Sequence, residues 1–227
     1  MPWLDPPDPF SKPPRLGPWP GRREVGADDI EVIDGWCDID GVHLAGVEID
    51  VTAAETVVIS GSRLDGVTLT LGPHTGVRLL RAELEGCVLA AATIESVIGT
   101  RLGGCDLRGA VFTDTVRDVE LSTGQLSHSY WAGASLERVL IDRCVLRETD
   151  FHMAGLTDVG FERCEMEDVN FDATRCERVD LRGTNLDLVG VRDLRGCLVT
   201  VDQVQAIALQ LADVVGLSIE HPDPSPG

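Results

Sequence analysis

Apolar residues recur at every fifth position along most of this chain. From Leu121 the series runs Leu126, Trp131, Leu136, Ile141, Leu146, Phe151, Leu156, Phe161, Met166, Phe171, Cys176, Leu181, Leu186 and Val191, and it never slips. Two residues before each centre stands a small or β-branched side chain, among them Val119, Ser129, Ala134, Val139, Cys144, Thr149 and Cys164. An earlier series keeps the same rule in another register, through Ile39, Leu44, Ile49, Ile59, Leu64, Leu69, Leu79, Leu84, Leu89 and Ile94, with weak centres at Ala54, His74 and Gly99. Leu102, Leu107, Phe112 and Arg117 bridge the two series, entered by a step of three residues and left by one of four.

A period of five suits neither common element. On an α-helix it advances the side chain by roughly 140° and smears the apolar set around the axis, and on a strand an odd step alternates faces. The chain must turn regularly instead, one short side per unit, with successive coils stacked at about 4.8 Å. Four sides per coil make residues twenty apart neighbours, so that Trp131, Phe151 and Phe171 form one ladder and Cys144 lies under Cys164. The centres then predict about eight coils, a rod about 35 to 40 Å long.

Proline marks the ends. Eight of the twelve prolines fall in the first twenty residues and three follow His221, which leaves Pro73 alone between. The expected organisation is a Pro-rich irregular tail over 1–29, a repeat body over 30–199, a C-terminal helix and short strand over 200–220, and a disordered tail over 221–227. An open coil end exposes apolar side chains and unpaired backbone groups, so it needs a cap. Thr200-Val-Asp-Gln203 is a capping box, and the run after it carries Val201, Val204, Ile207, Ala208, Leu211, Val214 and Val215 on one stripe before Gly216. The helix plugs the coil end. It is also the candidate dimer interface, through Val204, Ile207, Ala208, Leu209, Leu211 and Val215.

Tracts such as Cys105-Asp-Leu-Arg-Gly-Ala-Val-Phe112, Thr149-Asp-Phe-His-Met153 and Val179-Asp-Leu-Arg-Gly-Thr-Asn-Leu186 resemble the pentapeptide-repeat family, whose unit is written Ala-(Asp/Asn)-Leu-x-x. The resemblance implies an all-β fold, a right-handed four-sided parallel β-helix in which the centre and the residue two before it point inward. This chain departs from the unit by replacing Ala with Val, Thr or Cys.

Composition narrows the function. The chain of 227 residues is 43% hydrophobic but only 4% aromatic, so its core is built from aliphatic and small side chains. No run of about 18 apolar residues appears, and Met1 to Pro20 lacks the basic start and apolar stretch of a signal peptide, so no membrane association is expected and the expected compartment is the cytoplasm. Seven cysteines without a Cys-x-x-Cys pair predict reduced, buried thiols rather than a disulfide framework or a zinc site. His43, His74, His128, His152 and His221 show no metal-ligand spacing, and no catalytic loop motif accompanies them. No catalytic residue, metal or cofactor is assigned, and the expected class is binding rather than catalysis.

The formal charge is −19, from 38 acidic and 19 basic residues, which disfavours direct contact with nucleic acid. Acid gathers on two adjacent sides of the C-terminal half, where Glu148, Asp150, Glu165, Glu167, Asp168, Asp172 and Asp187 are the candidate partner-binding residues. Two readings of this charge stand: solubility alone, or complementarity to a basic DNA-binding groove by a rod about as wide as a duplex. The resemblance bears on the choice. Pentapeptide-repeat proteins of the mycobacterial fluoroquinolone-resistance and Qnr types are dimeric, acidic DNA mimics that bind a type II topoisomerase, and Val199-Thr-Val-Asp-Gln-Val-Gln-Ala-Ile-Ala208 is similar to the helical C-terminus of the mycobacterial type. It implies DNA gyrase as partner, a homodimer through the C-terminal helix, and resistance to fluoroquinolones or toxins. The alternative is a scaffold or immunity-type module with another protein partner.

Overall fold

The structure, a computed structural model, describes residues 14–16 and 23–218. It is a β-solenoid of about nine turns in which every paired strand is parallel to its neighbours. The first side stacks Trp36–Asp40, Thr56–Ser60, Gly76–Leu80, Thr93–Ile98, Val111–Ser122, Ser135–Asp142, Gly155–Glu162 and Arg175–Gly183. Its rungs number eight among the described residues, and Cys197–Leu198, which pairs with Val179 and Asp180 on the second side, brings the solenoid to about nine turns, one more than the centres predict. The extra turn comes from the end, where Cys197–Leu198 pairs beyond the last apolar centre. Pairing also begins early, because Arg23–Glu24 lies against Val42 and His43.

In the C-terminal half the strands of the first side continue around a corner into the second, whose centres include Leu121, Ile141, Phe161 and Leu181. The third side carries Leu126, Leu146 and Met166, and the fourth carries Trp131, Phe151 and Phe171. All of these centres are at most 1% exposed. The spacing is twenty residues, as Leu136↔Leu156 and Ile141↔Phe161 show. The aromatic ladder is present and extends one rung further than predicted. Phe112 stacks on Trp131 at 3.5 Å between ring centroids, Trp131 on Phe151 at 5.6 Å, and Phe151 meets Phe171 at 5.3 Å. The Trp131 indole N–H donates to the Ser129 hydroxyl at 2.8 Å, which satisfies the one polar atom in that stack.

The position two before each centre has its own logic. At several sites where it is polar, the side chain donates to the carbonyl of a centre in the coil before: Ser62 to Ile39 at 2.9 Å, Thr149 to Leu126 at 3.0 Å, Thr174 to Phe151 at 2.8 Å, and the Cys164 thiol to Ile141 at 3.2 Å. Ser, Thr and Cys therefore replace Ala here without leaving a buried polar group unpaired. Two residues after most centres the backbone is left-handed. From Asp118 (φ 54°) to Arg178 (φ 54°) this holds at every fifth residue, and it closes each corner.

The weak centres behave differently from the pattern. Ala54 is buried, but His74 and Arg117 are exposed, and Gly99 is a turn residue with φ 61°. His74 lies in the turn Gly72–Thr75, where Thr75 takes the inward place and donates to the Ala54 carbonyl at 2.6 Å, whereas Gly99 and Arg117 are displaced by a shortened coil. Leu102 pairs with Leu84, eighteen residues earlier, and Leu121 with Leu102, nineteen earlier. A bulge between Ile94 and Ser96 absorbs the difference. Val97 thereby stacks on Leu79, and Val116 on Val97, so Val97 and Val116 take the inward places that counting in fives gives to Gly99 and Arg117.

The cap is two short helices rather than one run. These are α1 (Val201–Ala206) and α2 (Ala208–Val214), which meet at Ile207 (φ −100°, ψ 12°). The capping box is formed: the Thr200 hydroxyl accepts from Gln203 N–H, and Gln203 Oε1 accepts from Thr200 N–H at 2.7 Å. Gln203 Nε2 then donates to the carbonyls of Leu181 (2.7 Å) and Thr184 (2.6 Å), which ties the helix to the last full coil. Ile207 is 4% exposed and closes the core. The short strand expected to follow reaches residues 219 and 220, which lie outside the described residues, as do the tail over 221–227 and residues 1–13 and 17–22 of the N-terminal tail.

Candidate functional site

On the first and second sides of the C-terminal half, arginines of one coil reach carboxylates of the coil before. Arg138 reaches back to Asp118 (2.7 and 2.9 Å), Arg163 to Asp142 (2.5 Å) and Arg178 to Asp158 (2.5 and 2.9 Å), each spanning one coil. Glu137 pairs with Arg138, Glu162 with Arg163, and Glu177 with Arg178. The guanidinium of Arg138 holds the Asp118 carboxyl below the usual carboxylate range.

The third and fourth sides are arranged otherwise. Glu165 and Glu167 flank Met166 on the strand Glu165–Glu167, both exposed, and Arg147 of the coil before sits between them, 3.2 Å from Glu167 Oε2. Asp150 is held in place, since Oδ1 accepts from the His152 N–H at 2.8 Å and from Asn170 Nδ2 at 2.9 Å. Asp172 faces His152 at 3.8 Å, and Glu148 faces His128 at 3.5 Å. The remaining two, Asp168 and Asp187, make no ion pair among the described residues.

Register places three of these carboxylates in one file. Arg147 pairs with Glu167 and Val169 with Leu188, so Glu148, Asp168 and Asp187 occupy the same corner in three successive coils. All three are exposed. Glu148 (φ 50°) and Asp168 (φ 52°) stand at the left-handed corner position, which turns their side chains out from the bend. At the strand spacing of about 4.8 Å, neighbouring carboxylates repel by about 1 kcal/mol in water. Of the seven acids read from the sequence, three form the column, of which Glu148 also faces His128, two are clamped by an arginine, one is fixed by local hydrogen bonds and Asp172 faces His152. The clamping by Arg147 has no signal in the five-residue pattern, because it depends on which coil lies beneath.

The residues predicted for capping and dimerisation divide. Ile207 is buried and Leu211 half-buried, both packed on the core. Val204, Ala208, Leu209 and Val215 are exposed, as are Val201 and Leu217.

Cys37, Cys87, Cys105, Cys144 and Cys164 are free and buried, while Cys176 and Cys197 are half-buried. Burial pushes the Cys144 thiol up to about 12 and that of Cys164 to about 11. Among the described residues no three His, Cys, Asp or Glu side chains gather where a metal ion could be held. No helix among them is long and apolar enough to cross a membrane.

A parallel β-solenoid of five-residue units, closed at its C-terminal end by short helices, is the class this geometry defines. It is similar in fold to solved pentapeptide-repeat proteins. One is HetL from the cyanobacterium Nostoc sp. strain PCC 7120, a pentapeptide repeat protein involved in heterocyst differentiation regulation. It is 16% identical over 71% of this chain and 89% of that one, with a TM-score of 0.39. Full-length QnrB1, a plasmid-mediated fluoroquinolone resistance protein, is 14% identical over 78% of this chain and 99% of its own, with a TM-score of 0.30. A trypsin-treated QnrB1 variant is 16% identical over 81% and 100%, with a TM-score of 0.32. No family model and no curated protein matches the chain.

Proposed function

We propose that the chain is a non-catalytic binding protein whose third and fourth sides present carboxylates, in place of DNA phosphates, to a basic groove on a protein partner, with DNA gyrase as the first partner to test. The column Glu148, Asp168 and Asp187 carries this reading. A file of like charges costs stability and could be relieved by any arginine one coil away, as happens repeatedly on the other two sides. Leaving it without an arginine, with only His128 beside Glu148, makes sense when a partner supplies the opposite charge. Gyrase is chosen because the motif resemblance and the segment Val199–Ala208 point to that type. The exposed Val204, Ala208, Leu209 and Val215 support a homodimer through the cap, which would double the length of the acidic rod.

The test is gyrase supercoiling in the presence of micromolar protein, with and without a fluoroquinolone. Inhibition or protection is expected, and it should be abolished by Glu148→Lys, Asp168→Lys and Asp187→Lys together, all at exposed positions that leave the core untouched. An inactive wild type removes the gyrase reading and leaves a scaffold or immunity-type module. An active wild type matched by the reversed variant removes the acidic column as the contact.

A further inference from the structure

The C-terminal end of the solenoid holds a feature of opposite sign. Thr174, Arg175, Cys176, Arg192, Asp193 and Arg195 line an open groove of about 450 Å³. Arg175 opens the last long strand, Arg175–Gly183, whereas Arg192 and Asp193 belong to the 3-10 turn Val191–Asp193 and Arg195 follows it. Two glycines bring these segments together. Gly190 (φ 82°) approaches so closely that a Cβ there would lie 2.4 Å from Asp172 N, and at Gly196 (φ 90°) a Cβ would lie 2.2 Å from the Cys176 carbonyl oxygen. The chain after the last full coil is thereby pressed onto it, with Arg192 and Arg195 on the same groove as Arg175.

These three guanidiniums make no ion pair and no side-chain hydrogen bond among the described residues, whereas Arg63, Arg78, Arg108, Arg138, Arg143, Arg147, Arg163 and Arg178 each hold a carboxylate. The one acid of the groove, Asp193, already accepts from the Ala173 N–H at 2.8 Å, and the Thr174 hydroxyl is spent on the Phe151 carbonyl. Three guanidiniums against one carboxylate leave an excess of two positive charges. In a chain of formal charge −19 this excess is local, and the Debye length of about 8 Å at physiological salt lets local charge decide what binds.

We propose that this groove is a binding site for a small oligophosphate, either free pyrophosphate or the phosphate tail of a nucleotide. Guanidinium forks match phosphoryl oxygens in pairs, and the charge of a diphosphate answers the excess on the groove. The volume lies within the range of small-ligand pockets, about 300 to 1,000 Å³, and leaves room for more than the phosphates alone.

Calorimetric titration of the full chain with pyrophosphate, ADP and citrate, at about 150 mM salt, tests this. Saturable binding of pyrophosphate or ADP is expected, with citrate weaker. ADP tighter than pyrophosphate assigns the nucleotide source, and the reverse assigns the free anion. Arg192→Gln with Arg195→Gln should weaken binding at least about tenfold, because two charge-assisted contacts are lost, whereas Arg81→Gln, exposed elsewhere on the rod, should leave it unchanged. Cys176 provides a reporter that needs no variant: bound ligand should slow its alkylation by iodoacetamide in the wild-type chain, read by mass spectrometry. No saturable binding at millimolar pyrophosphate and ADP, equal loss in Arg81→Gln, or alkylation of Cys176 indifferent to both ligands would each overturn the site.

Discussion

Arg138 and Asp118 lie twenty residues apart and meet across one coil, with Nε 2.7 Å from Oδ1 and Nη2 2.9 Å from Oδ2. Both side chains are only 14% exposed, whereas the arginines of the Arg163–Asp142 and Arg178–Asp158 pairs are 63% and 42% exposed, so this bidentate pair is better shielded from water. It fastens the first long rung, Val111–Ser122, to the second, Ser135–Asp142.

Asp118→Asn should cost about 2 kcal/mol at neutral pH, the range for hydrogen bonds to charged groups. The Arg138 guanidinium lowers the Asp118 carboxyl in the folded chain. The stabilisation is therefore complete above the unfolded value of about 3.9 and is lost as pH falls through the lower folded value. Urea unfolding between pH 5 and 2 should give a shallower loss of stability for Asp118→Asn than for the wild type. Parallel pH profiles would remove the assignment.

Trp131→Ala should destabilise by about 3 to 5 kcal/mol, because it opens a cavity between Phe112 and Phe151 and strips the Ser129 hydroxyl of its donor. Thermal melts measure the loss. A loss below about 1 kcal/mol would mean that the aromatic ladder is not a continuous core.

Cysteine accessibility should follow burial. In the folded chain at pH 8, Cys144 and Cys164 should resist alkylation, since burial raises both thiols well above that pH and each donates to a backbone carbonyl. Cys176, half-buried and with its thiol lowered by the hydrogen bond from Cys197, should react first. Cys197 should follow more slowly because that same bond and burial raise its thiol, and in denaturant all seven should be modified. Mass spectrometry after a timed pulse of reagent reads the order.

Gln203→Ala removes two donors to the Leu181 and Thr184 carbonyls and the acceptor of the Thr200 N–H. The expected cost is about 1 to 3 kcal/mol. It should appear as faster amide hydrogen exchange in α1, α2 and the strand Arg175–Gly183, with the N-terminal coils unchanged.

Much of the fold is legible in the sequence, since a solenoid core is made by nearest neighbours at a fixed interval. The aromatic series Trp131, Phe151, Phe171 and the capping box Thr200–Gln203 are both written in short-range spacing. His74 misleads because the turn Gly72–Thr75 puts its neighbour Thr75 inside, and Gly99 and Arg117 mislead because counting in fives assumes coils of equal length. Backbone pairing sets the coil, and one bulge after Ile94 is enough to put Val97 and Val116 inside instead. The helical cap reads as one stripe, yet it breaks at Ile207, whose side chain is buried at the coil end.

The sequence alone determined that this chain is an acidic rod with an aliphatic core, because inward and outward positions alternate by local rule. Which charges survive on its surface was decided only by the tertiary structure. An arginine's partner comes from the coil above or below, and a change of one residue in coil length moves every such pairing. Arg147 is thus spent on Glu165 and Glu167, Glu148, Asp168 and Asp187 fall into one file without an arginine, and Arg175 gains Arg192 and Arg195 as neighbours around a groove that no spacing in the sequence marks.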